Sequence, residues 1–311
     1  MKLLLKWQPY AVRRIVVLQL AVVGFLSGFN TIAATLFFVP VADASLLEIN
    51  STNSLGGFIG MNSGSTRDYK TRALMRFDLT SLPKPTLIQS AALYLDVTRE
   101  PVQELSITTF GLHRMLRPWG EGTNTPTAQF GTGVPAMEGD ATWIHAFFPT
   151  NLWSIPGGEA GVDFSNVEST FTDIYDVNSY LFPSTPETVD DVTEWIDHPQ
   201  NNFGWLLLCN DEATAFTARR FGTREDFNHQ PRLELQFLVP PLLVATRTNS
   251  NQIAIRFTAW AGHTYDVEYR GSISAGAWQL LSQVPATTTN FQAVVIDSGS
   301  LTQRFYRVNT Y

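Results

Sequence analysis

Apolar and polar side chains alternate over much of the chain beyond its first 34 residues. The alternation is clearest in three segments: TRALMRFDL (71–79), SAALYLDV (90–97) and RLELQFLV (232–239). A period of two residues is typical of antiparallel strands that bury one face. Strands do not alternate with helices along the sequence, so the pattern predicts an all-β protein, with a jelly-roll β-sandwich over residues 35–238.

The alternating pattern restarts after Val239-Pro240-Pro241. Short strand-like segments then follow at regular spacing to the end of the sequence: NQIAIRFTAW, TYDVEYR, AWQLLSQV, NFQAVVID and QRFYRV. This length and rhythm predict a small fibronectin- or immunoglobulin-like β-sandwich over residues 242–311. The sequence therefore predicts two β domains, with the boundary between them at 238–241.

One segment has a helical period. In ETVDDVTEWIDHP, residues 187–199, the apolar side chains of Val189, Val192 and Ile196 lie near one stripe of a helix. Pro199 follows the last turn, where a helix commonly ends. We therefore predict a single well-formed helix here.

The first 34 residues have the order of charge and hydropathy that is typical of an export signal. Basic residues up to Arg14 precede the apolar run IVVLQLAVVGFLSGF, and Ala33 and Ala34 then offer a cleavage site. The run is short for a membrane span, which takes roughly 20 residues. We expect residues 1–34 to be a cleaved signal peptide and the protein to be secreted or held at the cell surface. It would then contact a membrane only through that peptide; an uncleaved anchor is the alternative.

The charge of the chain argues against nucleic acid as a partner. The net charge is -7, and the residues beyond the first 34 carry 17 basic against 28 acidic side chains. Such a surface repels phosphate backbones. The single cysteine, Cys209, lies in the apolar segment WLLLC, which predicts a buried thiol and no internal disulfide.

The stretch EGDATWIHAFF brings two carboxylates, Glu138 and Asp140, close to Trp143 and His145. Two carboxylates across a cleft are what a glycosidase needs, but a glycine-containing turn before a strand also favours acids. Elsewhere the five histidines are scattered, and the sequence has neither an HExxH nor a GxSxG motif. These observations do not predict an enzyme.

Residues 118–186 form the longest stretch without regular alternation and are rich in turn residues. Within or beside it lie Trp119 and Trp153, each flanked by turn residues, together with Arg117 and Asn151. Aromatic rings stack on the C–H faces of sugars, and arginine binds a carboxylate through two hydrogen bonds. These four residues are the predicted ligand site; the alternative is that both tryptophans belong to the core.

Residues 35–238 resemble the DNRLRE domain, a secreted bacterial module. The matching segments occur in the order RALMRFDLTSLP, IQSAALYLDV, RPWGEGT, GDATW, NLWSIPGG, DVTEWIDHPQNNFGWLL and FGTREDFNHQPRLELQF. That family is similar to carbohydrate-binding module family 96, whose members include modules attached to alginate-degrading enzymes. The resemblance implies a non-catalytic jelly roll in which Asp140 organises a turn and Trp143 packs inside. Through TYDVEYR, AWQLL and FYRV, residues 242–311 resemble small fibronectin-like modules of secreted bacterial proteins.

The expected function is therefore non-catalytic binding of an extracellular or cell-envelope polysaccharide, in particular an acidic one that contains uronate. The alternative is a structural or adhesive surface protein whose jelly roll binds protein partners. Jelly-roll binding modules often hold structural calcium, which takes six to eight oxygen ligands. We predict Asp43 and Asp140 as calcium ligands, with structural turns as the alternative, and no other cofactor.

Overall fold

The computed structural model describes residues 32–84, 86–102, 107–122, 132–239, 243–249, 252–272, 276–299 and 304–310. Apart from its last three residues, the expected signal peptide (residues 1–34) lies outside this part of the chain. The expected cleavage next to Ala34 falls within the first strand, Ile32–Phe38. Among the described residues, no helix has the length and apolar character needed to cross a membrane.

The contacts of the chain divide it into two compact units. The first unit is Ala34–Phe237, and the second unit contains Leu238–Tyr311. That each is an independently folding domain, with the bounds 35–238 and 242–311, stays a prediction.

The first unit is built from fifteen described strands and one α-helix. They are β1 (Ile32–Phe38), β2 (Pro40–Leu47), β3 (Asn53–Ser54), β4 (Gly60–Ser65), β5 (Lys70–Phe77), β6 (Leu87–Arg99), β7 (Thr108–Met115), β8 (Val134–Pro135), β9 (His145–Phe147), β10 (Asn151–Leu152), β11 (Phe164–Ile174), β12 (Ser179–Phe182), α1 (Pro186–Asp197), β13 (Trp205–Cys209), β14 (Arg219–Gly222) and β15 (Arg232–Val239). A short 3-10 helix, Pro199–Asn201, follows α1.

Eleven of these strands form one curled antiparallel sheet. Its order is β1-β15-β6-β14-β4-β5-β13-β7-β11, with β12 joined to β6 and β2 joined to β5. β9 pairs with β10, and β3 with β8, in two small two-stranded sheets. The prediction of an all-β sandwich is confirmed.

The alternation in the sequence places one set of side chains in the centre of the sandwich. Ala73, Met75 and Phe77 on β5 are fully buried, as predicted. The ring of Phe77 contacts Trp205 edge-on at 6.2 Å, and Trp205 in turn contacts Trp195 of α1 at 4.5 Å. The predicted burial of Cys209 on β13 is also confirmed.

The helix that the sequence predicted is present as α1. Thr185 is the N-cap, its hydroxyl accepts a hydrogen bond from the backbone N–H of Thr188 at 3.1 Å, and Pro186 occupies the first turn. These are the features that favour a helix start. The buried face of α1, which carries Val192, Trp195 and Ile196, packs against β6 and β11.

The outer face of β5 and β13 is buried as well, which the alternation did not predict. Leu74 and Leu206 lie on this face and belong to a second core. The segment after β7 supplies the aromatic part of that core: Trp119, Trp143 and Trp153. The described residues between 118 and 163, expected to be open loop, thus form a covering layer over the sheet, whereas the same stretch also supplies β11 and β12 to the sheet itself.

The second unit is a small β-sandwich. Its strands are β16 (Val244–Asn249), β17 (Gln252–Ala259), β18 (Tyr265–Arg270), β19 (Gln279–Val284), β20 (Phe291–Asp297) and β21 (Phe305–Thr310). They form two three-stranded sheets, β16-β17-β20 and β19-β18-β21. Both sheets contribute to one core, which includes Ile255, Phe257, Val267 and Tyr306.

Candidate functional site

Trp119 and Trp153 are core residues. Their side chains are 6% and 4% exposed. The indole N–H of Trp119 donates to the carbonyl of Phe203, and that of Trp153 donates to the carbonyl of Thr142, each at 2.8 Å. The expectation that these rings reach the surface to stack on a sugar is wrong, and the alternative of core packing is confirmed.

The side chain of Arg117 makes contacts within the covering layer. Its guanidinium donates to the carboxylate of Asp163 at 3.1 Å and lies 5.8 Å from the ring centre of Trp153. Asp163 is fully buried and also accepts the backbone N–H groups of Ser154 and Glu159. Arg117 therefore positions a loop around a buried carboxylate.

Asn151, the fourth residue of the predicted ligand site, is exposed at the start of β10, opposite Phe147. Because both tryptophan rings are buried, Asn151 does not share an open aromatic surface with them. The two rings predicted to stack on a sugar are therefore not available, and ligand contacts of Arg117 and Asn151 stay a prediction.

Asp140 organises a turn, as the resemblance implied. Its carboxylate accepts the backbone N–H of Met137 at 2.9 Å, and its own N–H donates to the Met137 carbonyl. Gly139, with φ of +95°, supplies the left-handed residue of this turn. Trp143, three residues on, is 6% exposed and packs beneath the guanidinium of Arg72, so its predicted burial is confirmed.

Asp43 lies in a buried group of charges. Its backbone N–H donates to Glu121 and its Oδ2 accepts the N–H of Arg224, while Oδ1 has no partner among the described residues. Glu121 receives two hydrogen bonds from the Arg224 guanidinium, which also pairs with Glu225. Burial raises the pKa of Asp43 well above its ordinary value, and the charges of Glu225 and Glu121 add to this effect.

Within the described ranges, no group of three or more His, Cys, Asp or Glu side chains is arranged to hold a metal ion. Calcium also accepts backbone and amide oxygens as ligands. Calcium binding at Asp43 and Asp140 therefore stays a prediction.

A cleft that the sequence did not reveal lies on the first unit, beside β4, β14 and the end of β6. Its volume is about 450 Å³, within the range of small-ligand sites. It is lined by Ile49, Asn62, Thr66, Arg67, Tyr69, Thr71, Arg99, Glu100, Pro101, Val102, Thr132, Phe216, Ala218, Arg219 and Arg220.

A row of polar side chains crosses this cleft from strand to strand. Arg220 on β14 is paired with Asn62 on β4 and with Arg99 on β6. Paired residues on neighbouring strands face the same side of a sheet. Since strands lie about 4.8 Å apart, the row spans roughly 10 Å.

The cleft has an excess of positive charge. Its lining contains four arginines, including Arg219 below the row, and one carboxylate, Glu100. In the part of the chain that the structure describes, Arg67 and Arg99 form no ion pair. Burial, and then the neighbouring charge of Arg99, lowers the pKa of Arg220. An anion bound in the cleft would offset this excess of positive charge.

Apolar side chains form part of the wall as well. Ile49, Tyr69 and Val102 are 45%, 41% and 96% exposed, and the half-buried ring of Phe216 lies beside Arg67. Sugar-binding sites combine apolar surface with a few oriented polar groups. The arrangement can therefore bind an anionic ligand that also has apolar faces.

Sequence reasoning missed this cleft because its residues are far apart along the chain, between positions 49 and 220. One signal was present: two consecutive arginines, Arg219 and Arg220, within a strand-like segment. Arg219 is 1% exposed and Arg220 is half-buried, and both line the cleft.

No protein-family model matches this chain, and no curated protein matches its sequence. The likeness of residues 35–238 to the DNRLRE domain, and of residues 242–311 to fibronectin-like modules, stays a prediction.

Proposed function

We propose that the first unit binds an acidic, uronate-containing polysaccharide in this cleft and does not cleave it. The row formed by Asn62, Arg220 and Arg99, set beside exposed apolar side chains, carries the proposal. Guanidinium groups bind carboxylates through two parallel hydrogen bonds, and the apolar wall suits the C–H faces of sugar rings. Because the whole chain carries a charge of -7, attraction of a polyanion has to be local to the cleft.

The residues in the cleft support binding without hydrolysis. Among the described lining residues, Glu100 is the one carboxylate, and none is histidine or cysteine. Glycosidases in general use a pair of carboxylates. The proposal is therefore of a binding module, with no catalytic residue assigned.

The experiment is a binding screen of the full chain against a uronate polymer, a sulfated polymer and a neutral glucan. Arg99→Gln and Arg220→Gln each remove one charge from the cleft. We expect each to weaken binding of the uronate polymer about tenfold, the usual effect of losing a charged hydrogen bond. Release of shorter chains from the polymer is assayed in the same samples and is expected to be absent.

Arg232→Gln is the matched control for that screen. Arg232 is exposed on β15 and lies over Tyr94, away from the cleft lining, so its loss changes the net charge equally. We expect this variant to bind like the unaltered protein. Equal weakening by all three variants, or no binding of any acidic polymer, contradicts the proposal.

Export through the N-terminal segment is part of the proposed function, since the ligand is expected outside the cytoplasm. The basic, apolar and small residues of positions 1–34 support it. Terminal sequencing of protein recovered outside the cells should find a start at Ala34 or Thr35. An intact Met1 in that fraction would contradict cleavage.

A second candidate function is adhesion to a protein partner. Phe171 on β11 and Leu181 on β12 are 57% and 45% exposed. The two strands are adjacent, because the hydroxyl of Thr172 donates to the carbonyl of Leu181. Exposed apolar surface of this kind is typical of protein contacts. If this function is correct, Phe171→Ser abolishes adhesion to the partner, whereas Arg99→Gln does not affect it.

A further inference from the structure

Phe216 has an unusual backbone conformation. Its φ is +65°, and it is the one non-glycine residue with a positive φ among the described residues. The left-handed region is unfavourable for a bulky side chain, because its Cβ crowds the backbone. Residues held in this way recur at ligand-binding positions, where the surrounding structure enforces the conformation.

The neighbours of Phe216 enforce its conformation through several hydrogen bonds. The backbone N–H of Phe216 donates to the carbonyl of Thr66 at 3.2 Å, and that of Ser65 donates to the hydroxyl of Thr217 at 2.9 Å. From below, the buried guanidinium of Arg219 donates to the carbonyl of Thr217 at 3.1 Å. The segment is thereby fixed to the end of β4.

This conformation does not place the ring in the core. Phe216 is half-buried, lines the cleft and has the guanidinium of Arg67 5.7 Å from its ring centre. Glycine would adopt the same backbone conformation at no steric cost. The unfavourable backbone conformation of Phe216 therefore has the effect of placing an aromatic ring at the wall of a cationic cleft.

We propose that Phe216 is the sugar-stacking residue of the cleft and the main determinant of its preference for sugar polymers over other polyanions. Its ring packs against the C–H face of a uronate residue while Arg99 and Arg220 bind carboxylates of the polymer. This inference rests on the proposed function. It assigns to Phe216 the part that the sequence had suggested for Trp119 and Trp153.

The test compares a uronate oligosaccharide with polyglutamate, a polyanion without sugar rings, on Phe216→Gly and Phe216→Leu. Both variants should bind the oligosaccharide roughly tenfold more weakly, as expected for a lost aromatic contact, and should bind polyglutamate as the unaltered protein does. Phe216→Gly should keep or raise the melting temperature, because glycine relieves the left-handed strain. Phe216→Leu keeps apolar bulk and the same strain, so it reports on the flat ring alone.

Phe227→Gly is the control, since Phe227 is 86% exposed and lies outside the cleft lining. If Phe216→Leu binds the oligosaccharide normally, the stacking role is wrong. It is also wrong if both variants lose as much affinity for polyglutamate as for the oligosaccharide. If Arg99→Gln weakens binding in the same series and the Phe216 variants do not, the proposed function stands and this inference is wrong. If the unaltered protein does not bind the oligosaccharide, the proposed function itself fails.

Discussion

Trp119, Trp143 and Trp153 come from three separate turns and meet on the outer face of β5 and β13. Trp119 lies between Pro118 and Gly120, and Trp153 is soon followed by Pro156 and Gly157, a sequence context that looks like a surface loop. In the fold, these turn residues allow the chain to approach the sheet: Gly157, with φ of +87°, lies so close to the Trp143 indole that an added Cβ would be 2.7 Å from it. A tryptophan among turn residues can therefore be the centre of a second core.

Trp153→Ala tests this interpretation at the residue scale. We expect it to lower the free energy of unfolding by about 3–5 kcal/mol, the usual cost of removing a buried aromatic side chain. The folded protein should keep its affinity for the polysaccharide. Leu152→Ala is the neighbouring control, because Leu152 is 54% exposed and should change stability by roughly 0.5 kcal/mol or less. A binding defect in Trp153→Ala without loss of stability would instead indicate that the Trp153 ring contacts the ligand.

Asp43 gives a prediction about pH. Burial raises its folded-state pKa above the unfolded value, so the folded protein holds the proton more tightly than the unfolded chain does. The associated stability is present below the unfolded pKa and is lost as the pH rises through the folded pKa. Among the described residues, Arg224 is the one positive charge that acts on Asp43, against the negative charges of Glu121 and Glu225.

Asp43→Asn removes the ionisation but keeps an acceptor for the N–H of Arg224. Thermal melts from about pH 4 to about pH 8 should show the variant gaining stability relative to the unaltered protein as the pH rises. Asp68→Asn, the same substitution at an exposed position, is the matched control. Parallel melting curves for Asp43→Asn and the unaltered protein across this range would show that Asp43 does not titrate as inferred.

At the scale of elements, the segment between β10 and β11 depends on one buried carboxylate. Asp163 accepts hydrogen bonds from Arg117 and from the N–H groups of Ser154 and Glu159. Asp163→Ala leaves these donors without their acceptor. We expect a loss of about 3–5 kcal/mol in the free energy of unfolding, the magnitude seen when one partner of a buried pair is removed.

The loss of stability in Asp163→Ala should be largest in the covering layer. Hydrogen exchange of residues 150–164 should accelerate more than that of β5 or β13, because those strands are also held by the central core. Uniform acceleration over the first unit would mean that the layer and the sheet unfold as one. Glu159→Gln alters a neighbouring carboxylate whose own side chain is not a partner of Asp163, and serves as the control.

The sequence predicted the individual strands and the helix better than it predicted how the layers of the fold pack on one another. The period of two in β5, β6 and β15 and the apolar stripe of α1 are local patterns, and the structure confirms them. The burial of Leu74 and Leu206 on the outer face depends on a segment distant in sequence folding back over the sheet. Local periodicity contains no information about such a contact.

At the scale of the whole molecule, the cleft depends on topology. β14 lies between β4 and β6, although more than a hundred residues separate it from either strand along the chain. Arg99 and Arg220 become neighbours only through this pairing. Composition suggested an acidic protein, and the positive cleft is a local departure that net charge does not reveal.

An acidic protein that binds a polyanion through one cationic cleft should do so in a salt-dependent way. Added salt screens the attraction between the arginines and the polymer, with a screening length of about 10 Å at 0.1 M. We expect the affinity for the uronate polymer to fall as salt is raised in a titration, and Arg220→Gln to reduce the slope. An affinity independent of salt would point to apolar contacts as the main source of binding.

The most direct measurement is a hydrogen-exchange footprint of the full chain with and without a uronate oligosaccharide. Binding in the cleft predicts slower exchange at residues 62–71 and 216–220, the two ranges that contribute most of its lining, and no change at residues 150–164. Protection at residues 150–164 with none in the cleft would contradict it, and would return the ligand to the surface around Asn151.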